Sequence, residues 1–413
     1  MQVITFIIYS SIYIGLISIT FFILTFIDDK KKPRIFFKDK ELPNISVIIP
    51  AFNEEETIAS TLDSILASDY PKKFEVIVID DGSKDKTLSI ANKYKKKGVR
   101  VFKQAKNQGK GAALNLGIKK AKYEIIFTMD ADTEVPKSNL KKMAKYFKDP
   151  EVMSITPSIV THPPKNLLER IQHIEYVTGI FLRKTFAALN AVHIAPGAFS
   201  GYRKSFFEKY GGYDEDNLTE DLEMALRIQY YNYKVENADD APAYTRPPSK
   251  HSPLLKQRKR WYIGLMKNTW NYKKLFSREY GDLGIFILPI AWISILFAIS
   301  VTTYFLYDIS SSIYKEILFY KSINFDFGSF LDINFYFFER LFFKLASNNI
   351  IIFLLIFFIV TGIYLNYASK RIGKISNLLI NFPLFFILFP ILFGFWWIVS
   401  VFYVIFNKNV SWS

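Results

Sequence analysis

The chain has 413 residues, with 53 Lys and Arg against 38 Asp and Glu, and so a net charge of +15; half its residues are hydrophobic, 17% are aromatic and none is Cys. The apolar content excludes a disordered chain, the missing Cys excludes a disulfide scaffold or thiolate metal site, and the length suits two or three domains. A basic excess of this size points first to nucleic acid, so the location of the charge decides its meaning.

Residues 1–27 contain no Lys, Arg, Asp or Glu, and Val3 to Ile27 are almost all Ile, Phe, Leu, Tyr, Ser and Thr. That length crosses a bilayer as a helix. A cleaved signal peptide is the competing reading. The segment lacks a basic leader and a small-residue cleavage site, and it runs into Asp28-Asp29-Lys30-Lys31-Lys32-Pro33-Arg34, so a retained anchor is expected.

Residues 28–282 hold 45 basic and 33 acidic residues, a net +12. Ile45 to Pro50 reads as a buried strand ended by Pro, and Glu54–Ala67 has helical spacing. Phe74–Ile79 is a second strand, Thr87–Lys97 a helix, Val99–Phe102 a short strand, Gly111–Lys120 a helix and Tyr123–Met129 another strand. Strands about 25–30 residues apart with helices between them predict βαβ units and a parallel sheet covered on both faces. Ligands bind at the carboxyl ends of such strands, and Asp80-Asp81 and Asp130-Ala131-Asp132 each fall at one of them.

The first strand ends at Pro50-Ala51-Phe52-Asn53-Glu54, where the Phe52 ring is either a stacking surface for a base or a core aromatic. The second ends at Asp80-Asp81-Gly82-Ser83: a carboxylate there accepts hydrogen bonds from a base, or the segment is a plain capped turn. Asn107 to Asn115 is a Gly-rich lead-in to a helix, whose N–H groups and Lys110 suit an anion, although it is not a Walker A sequence. The strand at 123–129 ends in Asp130-Ala131-Asp132. Two carboxylates one residue apart can approach one divalent cation, Mg²⁺ or Mn²⁺, that bridges diphosphate oxygens. Elsewhere a D-x-D is an ordinary solvated turn; its place after a strand argues for the metal. Thr219-Glu220-Asp221 precedes an amphipathic run and reads either as a helix cap or as a general base. Gln257-Arg258-Lys259-Arg260-Trp261 reads as a juxtamembrane basic helix, or as Arg260 against a diphosphate with Trp261 under a sugar ring. The four His residues show no ligand spacing.

The tail, 283–413, is net +3 and contains apolar runs at Leu283–Leu306, Ile350–Leu365 and Ile375–Phe406. The last suits one tilted helix or a hairpin broken at Pro383 and Pro390. Asp308–Asn349 between the first two is an external loop or an interfacial helix, with an aromatic stretch at Phe335-Tyr336-Phe337-Phe338. Spans are therefore expected at 3–27, 283–307, 349–368 and 375–406. Lys30–Arg34 and Lys370-Arg371-Lys374 put 28–282 in the cytoplasm and the N-terminus outside. The +12 then faces anionic lipid, and no helix-turn-helix, zinc or RNA-recognition pattern supports nucleic acid.

In this order the motifs resemble the membrane-bound, processive family 2 glycosyltransferases, the poly-N-acetylglucosamine, hyaluronan, chitin and cellulose synthases. The resemblance covers about residues 43–265 and the arrangement of one span before and several after. It rests on Pro50–Glu54, Asp81, Asn107–Asn115, Asp130 with Asp132, Thr219-Glu220-Asp221, and Gln257, Arg260 and Trp261. Pro196 to Lys204 resembles the family's acceptor-side loop, with its Gly-Ala-x-x-x-(Phe/Tyr)-Arg/Lys pattern largely kept.

The resemblance implies an α/β GT-A fold, a Rossmann-like nucleotide-binding sheet, over 28–282, with juxtamembrane helices at its end and all-α membrane segments at 1–27 and 283–413. It implies an inverting transfer from a nucleotide sugar, a UDP-sugar such as UDP-GlcNAc or UDP-Glc, onto a growing polysaccharide that the spans export. Pro50, Phe52, Glu54, Asp81, Lys110, Asp130 and Arg260 would hold the donor; Asp130 and Asp132 would hold Mg²⁺ or Mn²⁺. Gly197, Glu220, Gln257 and Trp261 would face the acceptor, and Asp221 would be the base. Implied partners are the donor, a polysaccharide or lipid acceptor, membrane lipid and an accessory subunit, with no nucleic acid. Two readings compete: transfer of one sugar to a lipid or polyprenyl-phosphate acceptor, and a membrane scaffold or transporter whose acidic turns are structural.

Overall fold

A computed structural model describes residues 2–29, 35–322, 339, 349–372, 378–406 and 408 of the chain. The expected basic cluster at 30–34, the aromatic stretch at 335–338 and Lys374 lie outside the described residues.

In chain order the elements are α1 (Gln2–Asp29), β1 (Ile45–Ala51), α2 (Ile58–Leu66), β2 (Phe74–Asp80), α3 (Thr87–Lys93), β3 (Arg100–Lys103), α4 (Lys110–Lys120), β4 (Ile125–Met129), α5 (Asn139–Ala144), β5 (Val152–Thr161) and α6 (Leu167–Ala188). Then come β6 (Phe199–Arg203), α7 (Lys204–Tyr210), α8 (Glu220–Tyr230), β7 (Lys234–Thr245), α9 (His251–Asn271), α10 (Leu288–Ser322), α11 (Asn349–Ile372) and α12 (Leu378–Ile405).

The seven strands form one sheet in the order β3-β2-β1-β4-β6-β5-β7. β1, β2, β3 and β4 are parallel, as their continuous apolar runs predict. The all-parallel expectation is corrected at β6, which runs antiparallel to both β4 and β5. Met129 pairs with Phe199, so the start of β6 lies at the finish of β4. Alternate residues serve the two faces: Val47, Ile49, Val76, Val78 and Phe127 pack with Ile58, Leu62 and Met143 on one side. Ile48, Ile77, Ile79 and Ile126 pack with Ala113, Leu114, Phe206 and Ile228 on the other. Both faces are thereby covered, as expected.

Three local boundaries differ from expectation. β1 runs through Pro50, whose partner is Ile79, and stops at Ala51. α2 starts at Ile58 rather than Glu54, because Asn53 has a left-handed φ of 54° and the Glu54 and Glu55 N–H groups donate to Thr87 Oγ1 and Asp85 Oδ2. The segment after Leu306 is helical to Ser322, so its first part is a continuation of α10 and not a loop.

Among the described residues, three helices are long and apolar enough to cross a membrane: Thr5–Asp29, Leu283–Phe319 and Leu378–Ile405. The expected span at 349–368 is helical as part of α11. The run at 375–406, from Leu378 on, is one helix and not a hairpin; Pro383 and Pro390 both lie inside it. Neighbouring apolar helices sustain it where proline removes backbone donors.

Two sheet-side helices carry these segments. α6 meets α1 through Phe181 and Phe26, with ring centroids 5.0 Å apart, and meets α11 through Phe181 and Tyr364, stacked at 4.0 Å. Asp239 of β7 is shared by Lys184 of α6 at 3.3 Å and Arg371 of α11 at 2.9 Å. α9 stacks Tyr262 on Trp397 of α12 at 4.4 Å.

Candidate active site

The carboxyl edge of the sheet collects the acidic motifs, and backbone hydrogen bonds fix their order. Asp81 N–H donates to Ala51 O across β1 and β2, and Asp130 N–H donates to Ala198 O across β4 and β6. The second bond depends on the antiparallel β6, which brings the 196–204 segment beside the D-x-D. Phe52 is 39% exposed at this edge, which settles it as a surface ring rather than a core one. Pro50 is buried within β1.

Asp81 is built into the neighbouring loop. Its Oδ1 accepts from Gln108 N–H at 2.8 Å and its Oδ2 from Gly109 N–H at 2.9 Å. Gly82, at φ 71°, passes so close to that loop that a Cβ would lie 2.8 Å from Asn107 N. Asp81 thus sets the start of α4 and the position of Lys110, its first residue. Ser83 does not cap α3; its Oγ accepts from Asn53 N–H.

Lys110 was expected to meet an anion of a ligand. Its ammonium instead meets carboxylates of the protein, Asp130 at 2.7 Å and Glu220 at 3.2 Å. Burial alone would lower its pKa, but Asp130, Glu220 and Asp221 hold it well above the usual lysine range. Glu220 and Asp221 open α8, where the helix N-terminus favours anions. Asp221 Oδ2 accepts from Gly197 N–H at 2.7 Å, and its Oδ1 accepts from Leu222 N–H. A Cβ on Gly197 would lie 2.8 Å from Lys110 Nζ and 2.9 Å from Asp221 Oδ2. Gly197→Ala is therefore expected to cut kcat about 100-fold, since displacements near 1 Å at reacting groups have effects of that order. Steady-state assay of the purified variant checks this, and a kcat within about threefold of the parent would show that the cluster tolerates the shift.

Glu54, Asp130 and Asp132 repel one another. The Asp132 carboxyl is pushed up to about 7, first by burial and then by Asp130 and Glu54. Burial also raises Glu54, whose Oε2 accepts from Thr57 at 2.6 Å. Two carboxylates that resist joint ionisation fit one divalent cation. Among the described residues no group of three or more His, Asp or Glu is placed to hold a metal ion by itself. The raised Asp132 value means that its ionised form is disfavoured in the folded chain up to about pH 7. A cation must displace that proton, so Mn²⁺ binding is expected to tighten as pH rises from about 6 to about 8. Titration calorimetry reads this; a flat profile would remove Asp132 from the ligand set.

Thr219 does not cap α8. Its Oγ1 accepts from Asn268 of α9 at 3.0 Å, and Asn217 and Asn268 exchange amide hydrogen bonds. A Cβ on Gly264 would overlap Thr219 Oγ1, so α9 lies against the T-E-D turn. Gln257, Arg260, Gly264 and Asn268 share one stripe of α9 by their spacing of three and four. Trp261 is half-buried, with the Arg258 guanidinium 4.5 Å from its ring centre.

Residues 46–211 match the glycosyl transferase family 2 profile. They form a family 2 glycosyltransferase domain. A poly-β-1,6-N-acetyl-D-glucosamine synthase of Staphylococcus epidermidis is 32% identical over 274 residues, 64% of this chain and 66% of that protein. One of Staphylococcus aureus (strain COL) is 34% identical over 237 residues, 57% of each chain. The matched regions thus span about two thirds or less of these relatives. The structure of a mannosyltransferase from Pyrobaculum calidifontis, in complex with GDP-Man and Mn²⁺, superposes over 98% of this chain and 100% of that one, with a TM-score of 0.63 and 17% identity. The shared fold therefore includes the apolar helices as well as the glycosyltransferase domain.

Three residues near the domain's site escape sequence reasoning. Arg246, just after β7, acts electrostatically on Glu54. Arg258, unlike Arg260, is a structural cation of the Q-x-x-R-W helix: it is 1% exposed and forks onto Glu175 of α6 at 2.7 and 2.6 Å. Glu175 lies 83 positions away, and a basic run before a membrane segment gives no sign that one of its members is buried. Tyr176, on α6, feels the charges of Arg258 on α9, of Glu175 and Arg183 on its own helix, and of Asp132 in the D-x-D.

Proposed function

We propose that the chain is an inverting, membrane-bound glycosyltransferase that moves a sugar from a nucleotide donor onto a growing polysaccharide. The observation that carries this reading is Asp221, held by Gly197 N–H at 2.7 Å beside the Lys110–Asp130 pair. The relatives named as poly-β-1,6-N-acetyl-D-glucosamine synthases support N-acetylglucosamine as the sugar moved, and the proposed donor is a UDP-sugar such as UDP-GlcNAc or UDP-Glc.

In this reading 28–282 is the cytoplasmic catalytic domain, and α1, α10, α11 and α12 anchor it with the N-terminus outside. Phe52 stacks on the base, with Pro50 and Glu54 shaping that edge and Asp81 accepting from the base or holding the loop under it. Asp130 and Asp132 would hold Mg²⁺ or Mn²⁺, which would supply positive charge to the donor diphosphate. Asp221 takes the proton of the acceptor hydroxyl as its oxygen attacks the anomeric carbon. The bond from that carbon to the diphosphate oxygen breaks, and Arg260 meets the departing charge. Trp261 supports the acceptor sugar, with Gly197, Glu220 and Gln257 around it.

The test is incubation of membranes with labelled nucleotide sugars and Mg²⁺ or Mn²⁺, followed by sizing of the product. Long chains from one donor are expected, with release of the nucleoside diphosphate lost in EDTA. A product one sugar long would replace the polymer reading by transfer to a lipid acceptor. The small number of long apolar helices among the described residues favours that second reading, because they make a narrow conduit.

A further inference from the structure

Helix α6 carries one cation that the transfer chemistry leaves unused. Other charges of this helix are answered: Lys184 by Asp239 at 3.3 Å, Glu175 by Arg258 at 2.6 Å, and Glu169 by hydrogen bonds from Lys165 N–H and the Asn166 amide. Arg183 is not. Its Nε and Nη2 are buried and have no hydrogen-bond partner among the described residues. Its side chain leans back one turn over Gly179, where a Cβ would lie 3.2 Å from Nη1 and 3.4 Å from Nη2. The glycine leaves the helix surface open for the guanidinium. Burial without a counter-charge lowers the arginine to about 10, and Tyr176 is the neighbour that acts on it.

Folded proteins pair their buried charges or neutralise them, and arginine does not give up its proton at physiological pH. An unmet guanidinium fork therefore calls for an anion, and its planar geometry matches a phosphate. Its place says where that phosphate comes from. Three residues further on, Phe186 meets Phe22 of α1 at 5.5 Å, and the same helix carries Phe181 against α1 and α11. Two turns back lies Tyr176, within the electrostatic reach of Asp132. The guanidinium thus stands between the apolar helices and the carboxyl edge of the sheet.

We propose that Arg183 binds the phosphate of a membrane lipid, whose hydrocarbon lies along α1 and α6 and whose head group points toward the D-x-D. This goes beyond the polymer reading and holds whether the product is long or short. The lipid phosphate is either a monoester, as on a polyprenyl phosphate, or the diester of a phospholipid.

The test uses the full chain purified in detergent, with Arg183→Met and Arg183→Lys. Without ligand, Arg183→Met is expected to raise the melting temperature by about 2 °C or more, because it removes a half-buried guanidinium whose Nε and Nη2 are buried without a partner. A fall would assign Arg183 a structural role and overturn the proposal. A polyprenyl phosphate and phosphatidylglycerol are then titrated in separate arms. The lipid that binds is expected to bind Arg183→Met about tenfold or more weakly and Arg183→Lys in between. A preference for one lipid names the source. Equal binding by parent and Arg183→Met in both arms overturns the proposal. So does an Arg183-dependent shift with inorganic pyrophosphate or UDP alone, which would assign the cation to the donor.

Discussion

Asp221→Asn is expected to lower kcat about 10²- to 10⁴-fold, the range a positioned general base supplies, while the protein stays folded. The asparagine keeps the shape of the side chain, and its Oδ1 can still accept from Gly197 N–H, the bond that orients Asp221 at 2.7 Å. What it loses is basicity. The neighbouring charges sharpen the contrast. Lys110 is held charged by Asp130, Glu220 and Asp221 together, so removing one of three anions leaves the ammonium paired with Asp130 at 2.7 Å and Glu220 at 3.2 Å. Donor affinity, read by nucleotide titration, is expected to change less than about threefold, since Asp221 is assigned no donor contact. An Asp132→Asn variant should behave in the opposite sense and lose metal-dependent donor binding. If Asp221→Asn retains more than about a tenth of the parent kcat, the base lies elsewhere. If it loses donor affinity and turnover alike, Asp221 organises the donor pocket instead.

The sheet and its acids were legible in the chain for one physical reason. β1, β2 and β4 are buried on both faces, so each reads as an unbroken apolar run, and the polar residues that end each run mark the ligand edge. β6 was not legible as a strand. Phe199-Ser200-Gly201-Tyr202-Arg203 is short, and Gly201 is there for close approach, since a Cβ would lie 2.8 Å from Phe127 Cζ. β7 was hidden for another reason. Lys234–Thr245 carries Glu236, Asp239 and Asp240, and its register against β5 shifts at Pro157 and Ser158, so no clean alternation survives. Missing β6 did not hide Gly197 as a site residue, because the resemblance supplied it. It did hide why Gly197 reaches Asp221: only an antiparallel strand starts at the edge where the parallel ones end. The same limit applies to α9. Spacing shows which residues share its T-E-D face, but not that Arg258 on the opposite face finds a carboxylate on α6.

Arg258→Ala is expected to be the most destabilising change among the basic residues of α9, at about 3–5 kcal/mol, because it strands a buried carboxylate. Glu175 would lose both hydrogen bonds from the guanidinium, and its pKa is already raised by burial against the pull of Arg258. The arginine also fills space: its guanidinium lies 4.5 Å from the Trp261 ring and 5.1 Å from that of Trp396. One side chain thus joins α6, α9 and α12, and it braces the Trp assigned to the acceptor. The paired change Glu175→Leu with Arg258→Met separates charge from packing. A buried ion pair replaced by apolar groups of similar volume is commonly neutral or stabilising, so the double variant is expected to recover most of the lost stability. Its transferase activity is expected to stay low, since methionine fills the volume but does not hold Trp261 by charge. Arg260→Ala supplies the contrasting outcome, near-parent stability with weakened donor binding. Chemical denaturation with parallel kinetics reads all three variants. A double variant as unstable as Arg258→Ala would mean that packing against Trp396, and not the Glu175 pair, fixes α9 on the membrane helices.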